Sequence, residues 1–445
     1  QKKEIDIVEH THKILEKTKK IDKNYNYFTT ISENLALQQA QKLKKDPKGK
    51  LAGIAISVKD SICVKNVESR AGSKILQGYI PPFNATVIEK VIKEGAIIIG
   101  KTTQDEFGFG TFAVNTDKIP KNPFNKEHTT GGSSGGCAGM TQQAEFPHLS
   151  LAESTGGSIA VPASFCGITG LTPTYGLVSR YGLIDYASSL DKIGPMSQNP
   201  EDAFFLLDII KGKDPKDATS TEFTPKEKNK KELKIGIIKE AIEIVPKEIK
   251  ERINEKIKNK KFISLKETMK YALATYQLIA YAEASTNLAR YTGIKYGITE
   301  NIEGDYNEYF TKIRSKYFQK ESKRRIIIGT FALMAGFKDA YFTRAMQTRT
   351  LIINEFQRAF QEYDILICPS TIGTAPRFDE IKKLTPLQHT KMDMLTVGPN
   401  LAGLPHISIN VGSINQLPVG LMAIANHFQE DKLKQFVTDQ IMINK

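Results

Sequence analysis

The sequence predicts an α/β fold, a layered body around a largely buried sheet. Three observations predict it. Residues 51–58 are mostly apolar and run into Lys59-Asp60, residues 84–95 carry helical spacing, and residues 96–100 read AIIIG. This strand–helix–strand order is the repeating unit of layered α/β proteins. An unbroken apolar run such as AIIIG fits a strand covered on both faces. Hydrophobic residues make up 40% of the 445 positions and charged residues 25%. That is material for a packed core and excludes a wholly disordered chain.

The elements follow in order. Residues 4–22 and 33–46 read as amphipathic helices, with Ile5, Val8 and Ile14, then Leu35, Ala36, Ala40 and Leu43, at helical spacing. They form an N-terminal helical segment, 1–50, ahead of a catalytic domain expected over 51–440. The helix at 84–95 is expected to start on an Asn84 cap and stop at Gly95. Residues 129–170 are crowded with Gly, Ser and Thr. They are expected to be loops that present backbone amides to a ligand, not core. Residues 201–211 read as a helix and 212–234 as a polar linker or surface excursion. A strand at 235–238, long helices at about 267–290 and 332–361, and strands at 365–368, 406–411 and 419–423 complete the chain.

Composition removes several classes. No run of 18 apolar residues exists, so no transmembrane helix is expected. The first ten residues are charged and carry no apolar signal region. A cytoplasmic protein is expected, and an organellar matrix also fits. Cys63, Cys137, Cys166 and Cys368 lie far apart with no CxxC, which argues for reduced thiols over a disulfide framework or zinc knuckle. His10 and His12 are the only close histidine pair, on a charged helix, and read as surface residues. No metal site is expected. The net charge of +13 permits nucleic acid as a partner. Nearly half the excess lies in residues 226–261, with 13 Lys/Arg against 7 Asp/Glu. A solvated helix face and linker would give the same count.

Three short segments carry candidate chemistry. Lys59 closes an apolar strand, where desolvation is expected to leave it a neutral base; the alternative is a snorkelling strand-end lysine. Gly131-Gly132-Ser133-Ser134-Gly135-Gly136 brackets two serines with glycines, a turn or an anion nest without P-loop spacing. Ser154-Thr155-Gly156-Gly157-Ser158 puts a serine at the end of a Gly-Gly turn. The amides of Thr155, Gly156, Gly157 and Ser158 can converge there into an oxyanion hole. Serine is a weak nucleophile until a base takes its proton. Ser158 does not stand in a GxSxG segment and no histidine motif accompanies it, so a lysine must supply the base, directly or through another serine.

Together the segments resemble the amidase signature family, in which K-D, GGSSGG and TGGS segments supply a Lys, a Ser after a cis peptide bond and a nucleophilic Ser. The resemblance carries these roles onto Lys59, Ser133 and Ser158. It spans about residues 25–440 and implies a mixed central sheet covered by helices on both faces. Residues 101–110 (KTTQDEFGFG), 175–183 (YGLVSRYGL), 282–291 (AEASTNLARY), 324–333 (RRIIIGTFAL) and 399–405 (PNLAGLP) narrow it. They are similar to the glutaminase subunits of tRNA-dependent amidotransferases. That branch implies hydrolysis of glutamine to glutamate and ammonia, with no cofactor in this chain. A GatB-like partner would use ATP and Mg²⁺ to activate the aminoacyl-tRNA, and a small GatC-like subunit would join the two. The tRNA would be met mainly through the complex. The branch also implies a glutamine pocket made by Arg349, in an R-T-L-I segment, and Asp393, shortly before N-L-A-G. An arginine fork matches a carboxylate.

The chain departs from the family's usual S-D-T-G-G-S-I-R. It reads Glu153-Ser154-Thr155-Gly156-Gly157-Ser158-Ile159-Ala160, so the Asp and the Arg are both missing. If those two normally pair, their joint loss strands no buried charge. Two rival readings remain. A free-standing amidase for another carboxamide has no need of both Arg349 and Asp393. A catalytically impaired scaffold subunit is supported by the altered loop and the +13 charge.

Overall fold

The computed structural model describes residues 6–223, 232–257 and 261–442. Within the lysine-rich stretch and the polar excursion, residues 224–231 and 258–260 lie outside the described residues, as do the first five residues of the chain.

Eleven strands form one sheet among the described residues. They are β1 (Phe28–Ile31), β2 (Ala55–Lys59), β3 (Ile97–Thr102), β4 (His148–Ser154), β5 (Thr169–Thr172), β6 (Lys192–Ser197), β7 (Ile235–Ile238), β8 (Lys261–Ile263), β9 (Ile365–Pro369), β10 (His406–Ile414) and β11 (Leu417–Ala425). The order across the sheet is β1-β3-β2-β4-β6-β5-β10-β11-β9-β7-β8. β2 runs parallel to β3 and β4, and β7 parallel to β8 and β9; the other pairs are antiparallel. The sheet is therefore mixed, as the resemblance implied.

Both of its faces are covered. Strand side chains alternate between faces, and Ile97 and Ile99 of β3 pack with Ile14, Leu15, Ala36, Ala40 and Met140. Ile98 joins Ile56, Val58 and Val91 in the main core on the other side. The helices Ile7–Tyr25 and Glu33–Lys45 close the first face. The segment before residue 50 also contributes β1, which pairs with β3 in the same sheet.

Several expectations shift. Asn84 does not cap the helix Thr86–Lys93; its Oδ1 accepts from the Lys65 amide at 2.7 Å, and Ala85 holds the cap position. The helix expected at 332–361 is two helices, Lys320–Leu333 and Arg344–Glu362, separated by a turn in which Gly336 has φ +84°. Met334 caps the first helix in an extended conformation, and Gly336 takes the left-handed one without the strain another residue would carry, ahead of a π-helical turn at Asp339–Thr343.

The largest correction is at 129–170. It contains the helices Gly135–Gln143 and Ala160–Cys166 as well as β4 and β5, and every residue from 148 to 166 is buried. Its small residues permit close packing. A Cβ on Gly136 would fall 2.6 Å from the carbonyl oxygens of Tyr27 and Thr103. The composition that suggested loops is what lets this segment enter the core.

Candidate active site

Lys59 ends β2 between two parallel neighbours, β3 and β4, and its side chain is fully buried. Its Nζ has three acceptors: Ser133 Oγ at 2.7 Å, the Glu153 carbonyl oxygen at 2.9 Å and Glu153 Oε2 at 2.7 Å. Burial is as expected from the apolar strand. The sequence did not anticipate the carboxylate that Glu153 sets against the amine. The Ser133 hydroxyl can accept from Nζ or donate to it.

Ser133 follows a cis Gly132–Ser133 peptide bond, the feature the family resemblance implied. Gly132 lies against the buried Asp105, where a Cβ would meet Asp105 Oδ2 at 2.1 Å. The Asp105 carboxylate accepts from the amides of Ala113 and Asn115 at 3.0 and 2.9 Å. Burial pushes this carboxyl up to about 6, against the pull of those two amides.

Ser158 sits where the loop after β4 enters the helix Ala160–Cys166. Tight contacts hold that loop. A Cβ on Gly156 would lie 2.5 Å from the Tyr276 ring, and one on Gly157 would lie 2.3 Å from Thr396 Oγ1 and 3.3 Å from Asp393 Oδ1. Only glycines fit at these two positions. Among the described residues, the amides of Gly156, Gly157 and Ser158 donate to no protein acceptor. Ser154, where the family carries Asp, has a buried hydroxyl without a hydrogen-bond partner among the described residues, while Ala160 is fully buried. No charge is stranded by the two losses.

Asp393 reaches this loop. Thr111 donates to its Oδ2 at 2.7 Å, and the Thr111 carbonyl accepts from the Gly132 amide at 2.7 Å. Asp393 is thereby tied to the Ser133 turn and stands beside Gly157. Burial pushes its carboxyl up to about 7; the Thr111 hydrogen bond and the charge of Arg325 act the other way.

Arg349 is not brought to this place. Its Nε donates to the Leu401 carbonyl at 2.8 Å, and its two terminal nitrogens donate to Ser189 Oγ and the Ser189 carbonyl at 3.0 and 3.1 Å. Its electrostatic neighbours are Glu283 and Tyr175, not Asp393. Arg349 is a brace between segments.

The arginine that faces Asp393 and Asp105 electrostatically is Arg325. It is buried, with Nε on Glu321 Oε1 at 2.7 Å and Nη1 on the Tyr186 hydroxyl at 2.8 Å. Its guanidinium lies 4.9 Å from the Tyr281 ring centre and 5.1 Å from that of Phe109. Nη2 donates to no protein acceptor among the described residues, which leaves a free edge of the fork. A sequence signal for Arg325 exists. The buried residues of its helix, Ser322, Arg325, Gly329 and Ala332, repeat at helical spacing, so Arg325 lies on the core-facing stripe.

The amidase family model matches residues 9–433. The chain belongs to the amidase family. It is 44% identical over 432 residues to the glutamyl-tRNA(Gln) amidotransferase GatA subunit of Archaeoglobus fulgidus, covering 95% of this chain and 93% of that one. It is 42% identical over 451 residues to the same-named protein of Thermoanaerobacter pseudethanolicus, covering 97% and 92%. The crystal structure of the Thermotoga maritima GatA subunit superposes with a TM-score of 0.79 at 34% identity, covering 96% of this chain and 89% of that one. The family read from Lys59, the serine pair and Ser158 is thus the one the whole chain matches. All four cysteines are free and buried. Among the described residues no cluster of His, Cys, Asp or Glu is arranged to hold a metal, and no helix is long and apolar enough to cross a membrane.

Proposed function

We propose that this chain is the glutaminase subunit of a tRNA-dependent amidotransferase. Ser158 attacks the side-chain amide of glutamine, and its proton passes to Ser133 and on toward Lys59. The amides of Gly156, Gly157 and Ser158, with Thr155 at the head of the turn, take the oxyanion. Ammonia leaves, and water hydrolyses the glutamyl ester. The ammonia goes to a partner subunit that amidates Glu-tRNA(Gln), Asp-tRNA(Asn) or both. ATP and Mg²⁺ belong to that partner; the chemistry assigned to this chain uses its own side chains and backbone amides.

The observation that carries glutamine as the substrate is the buried Arg325–Asp393 couple beside Gly157. A free amino acid offers a carboxylate and an ammonium at one end, and a cation and an anion answer both. A simple carboxamide offers neither. The test is ammonia and glutamate release from glutamine by the full chain together with its partner subunits. Turnover of simple carboxamides with none of glutamine would replace this reading with the free-standing amidase.

The surface supports a role within a complex. Ile327, Met334 and Leu351 are 69%, 51% and 55% exposed. The exposed rings of Phe331 and Phe337 lie tilted at 4.4 Å, with Tyr341 at 5.5 Å from Phe331. Exposed apolar clusters of this kind mark interaction sites. Phe331→Ser combined with Phe337→Ser is expected to weaken association with the partner subunits by at least tenfold while leaving the melting temperature of the isolated chain nearly unchanged. Sedimentation of the mixed subunits measures it. Unchanged association would move the interface elsewhere.

A further inference from the structure

Glu153 stands where the family pattern carries Ser, and the glutaminase reading above gives it no role. Its two carboxylate oxygens have different partners. Oε2 accepts from Lys59 at 2.7 Å, while Oε1 accepts from the Thr155 hydroxyl at 2.7 Å. The same hydroxyl oxygen lies 2.7 Å from Asp191 Oδ1. A hydroxyl has one proton, so it cannot donate to both carboxylates. One of the two contacts needs a proton from the acid.

Asp191 is the acid that holds it. Its Oδ2 accepts from the amides of Tyr186 and Ala187 at 2.9 and 3.0 Å, while Oδ1 only shares the Ala187 amide at 3.1 Å, so Oδ1 is the oxygen assigned the proton that is donated to Thr155. Burial, and then the charge of Glu153, push the Asp191 carboxyl well above the usual carboxylate range. The charged and titratable groups around the pair are Lys59 from β2, Asp191 and Asp185 from the segment before β6, Asp105 from the segment after β3, and the Cys137 thiol from the helix Gly135–Gln143. With Asp191 neutral, Glu153 is the one carboxylate in hydrogen-bond contact with Lys59.

We propose that Glu153 is a positioning residue that acts through Lys59 as the proton store of the serine–serine–lysine relay. The proposal rests on the triad assigned above. With the Glu153 carboxylate 2.7 Å away, Lys59 rests as its ammonium partner in this proposal, and an ammonium has no lone pair to take a proton from Ser133. Lys59 becomes a base when one of its protons moves to Glu153 Oε2. In acylation the Ser158 Oγ–carbon bond forms, the Ser158 proton moves to Ser133, the Ser133 proton moves to Lys59, and a Lys59 proton moves to Glu153. When the carbon–nitrogen bond breaks, the stored proton returns along the same path to the departing nitrogen. No proton is exchanged with solvent, and no electron carrier is needed.

This gives a signature that a packing role would not. Transfer inside the Lys59–Glu153 pair leaves its net charge unchanged, so the wild-type kcat is expected to be flat around neutrality. In Glu153→Gln the ammonium proton must leave to solvent instead. At pH 7 kcat is expected to fall about 100-fold, a typical general acid–base contribution, with KM changed less than about threefold. The deficit is expected to shrink on going alkaline, where hydroxide in the solvent takes over as proton acceptor.

The experiment measures ammonia release by the full chain with its partner subunits, at pH 7 and at pH 9.5. Wild type, Glu153→Gln, Glu153→Ser and Ser158→Ala are compared, on glutamine and on a simple carboxamide. Glu153→Ser restores the family's residue and stands in if the Gln variant does not fold. A deficit that narrows at high pH supports the store. A deficit equal at both pH values, no deficit, or a gain in activity overturns it. A gain would make Glu153 a brake on Lys59. Failure of wild type on glutamine would remove the substrate reading alone, because the carboxamide arm tests the proton store separately.

Discussion

Ser158→Ala is expected to abolish glutamine hydrolysis, with kcat reduced by about 10⁴- to 10⁶-fold, as when the nucleophile of a serine hydrolase is removed. The argument starts from the loop. Gly156 and Gly157 are pressed against Tyr276, Thr396 and Asp393 so closely that no side chain fits. That fixes the amides following β4 with no protein acceptor among the described residues, beside the one serine that closes the turn. Preorganised donors of this kind stabilise charge that develops in the transition state. Alanine at 158 keeps the loop, the oxyanion donors and the pocket, and removes only the attacking oxygen. Amidation supplied with free ammonium should therefore continue in the full complex. Mass spectrometry of the wild-type chain quenched with glutamine should find a glutamyl adduct on the peptide carrying Ser158, absent from the variant. More than a few per cent of residual glutamine-dependent turnover in Ser158→Ala would pass the nucleophile's role to another residue.

The candidate site was legible where it is written in contiguous segments. Lys59, Ser133 and Ser158 each sit in a run of a few residues whose composition is hard to explain otherwise, and the Lys59–Ser133 contact at 2.7 Å answers to that reading. The fold class was legible for a related reason. β3 and its preceding helix are neighbours in sequence, so their periodicity is local. What the sequence hid is non-local. Glu153 and Lys59 are 94 residues apart, and nothing in either segment announces an ion pair. β1, four residues long, is too short for a period to emerge. Residues 129–170 misled because Gly, Ser and Thr serve flexible loops and tightly packed cores alike, and only the neighbours decide. Arg349 and Arg325 lie on different helices with similar patterns. Arg325 lies on the buried stripe of its helix and Arg349 does not, and which residues each meets is set by segments distant in sequence.

Arg325, not Arg349, is expected to select glutamine. Arg325→Lys keeps the charge and loses the fork that a carboxylate needs. Losing a charge-assisted contact in a desolvated pocket costs about 2–4 kcal/mol, which corresponds to roughly a 30- to 1000-fold lower kcat/KM for glutamine. Hydrolysis of a simple carboxamide never uses that contact and should change little. Arg349→Ala should show the opposite pattern. It releases Ser189 and the Leu401 carbonyl, so it should lower the melting temperature and depress both substrates alike. The acid side of the pH profile tests the other half of the pocket. The Asp393 carboxyl is pushed up to about 7 by burial, so below that pH it takes a proton and loses the charge that meets the substrate ammonium. The profile of kcat/KM reports the free enzyme. For glutamine it should fall about tenfold per unit below pH 7, and for a simple carboxamide that limb should be absent. Asp393→Asn should lower the glutamine value at pH 7 and above and remove the limb. Equal losses for both substrates in Arg325→Lys would mean that this arginine, stacked on Phe109 and Tyr281, holds the fold and leaves substrate choice to other groups.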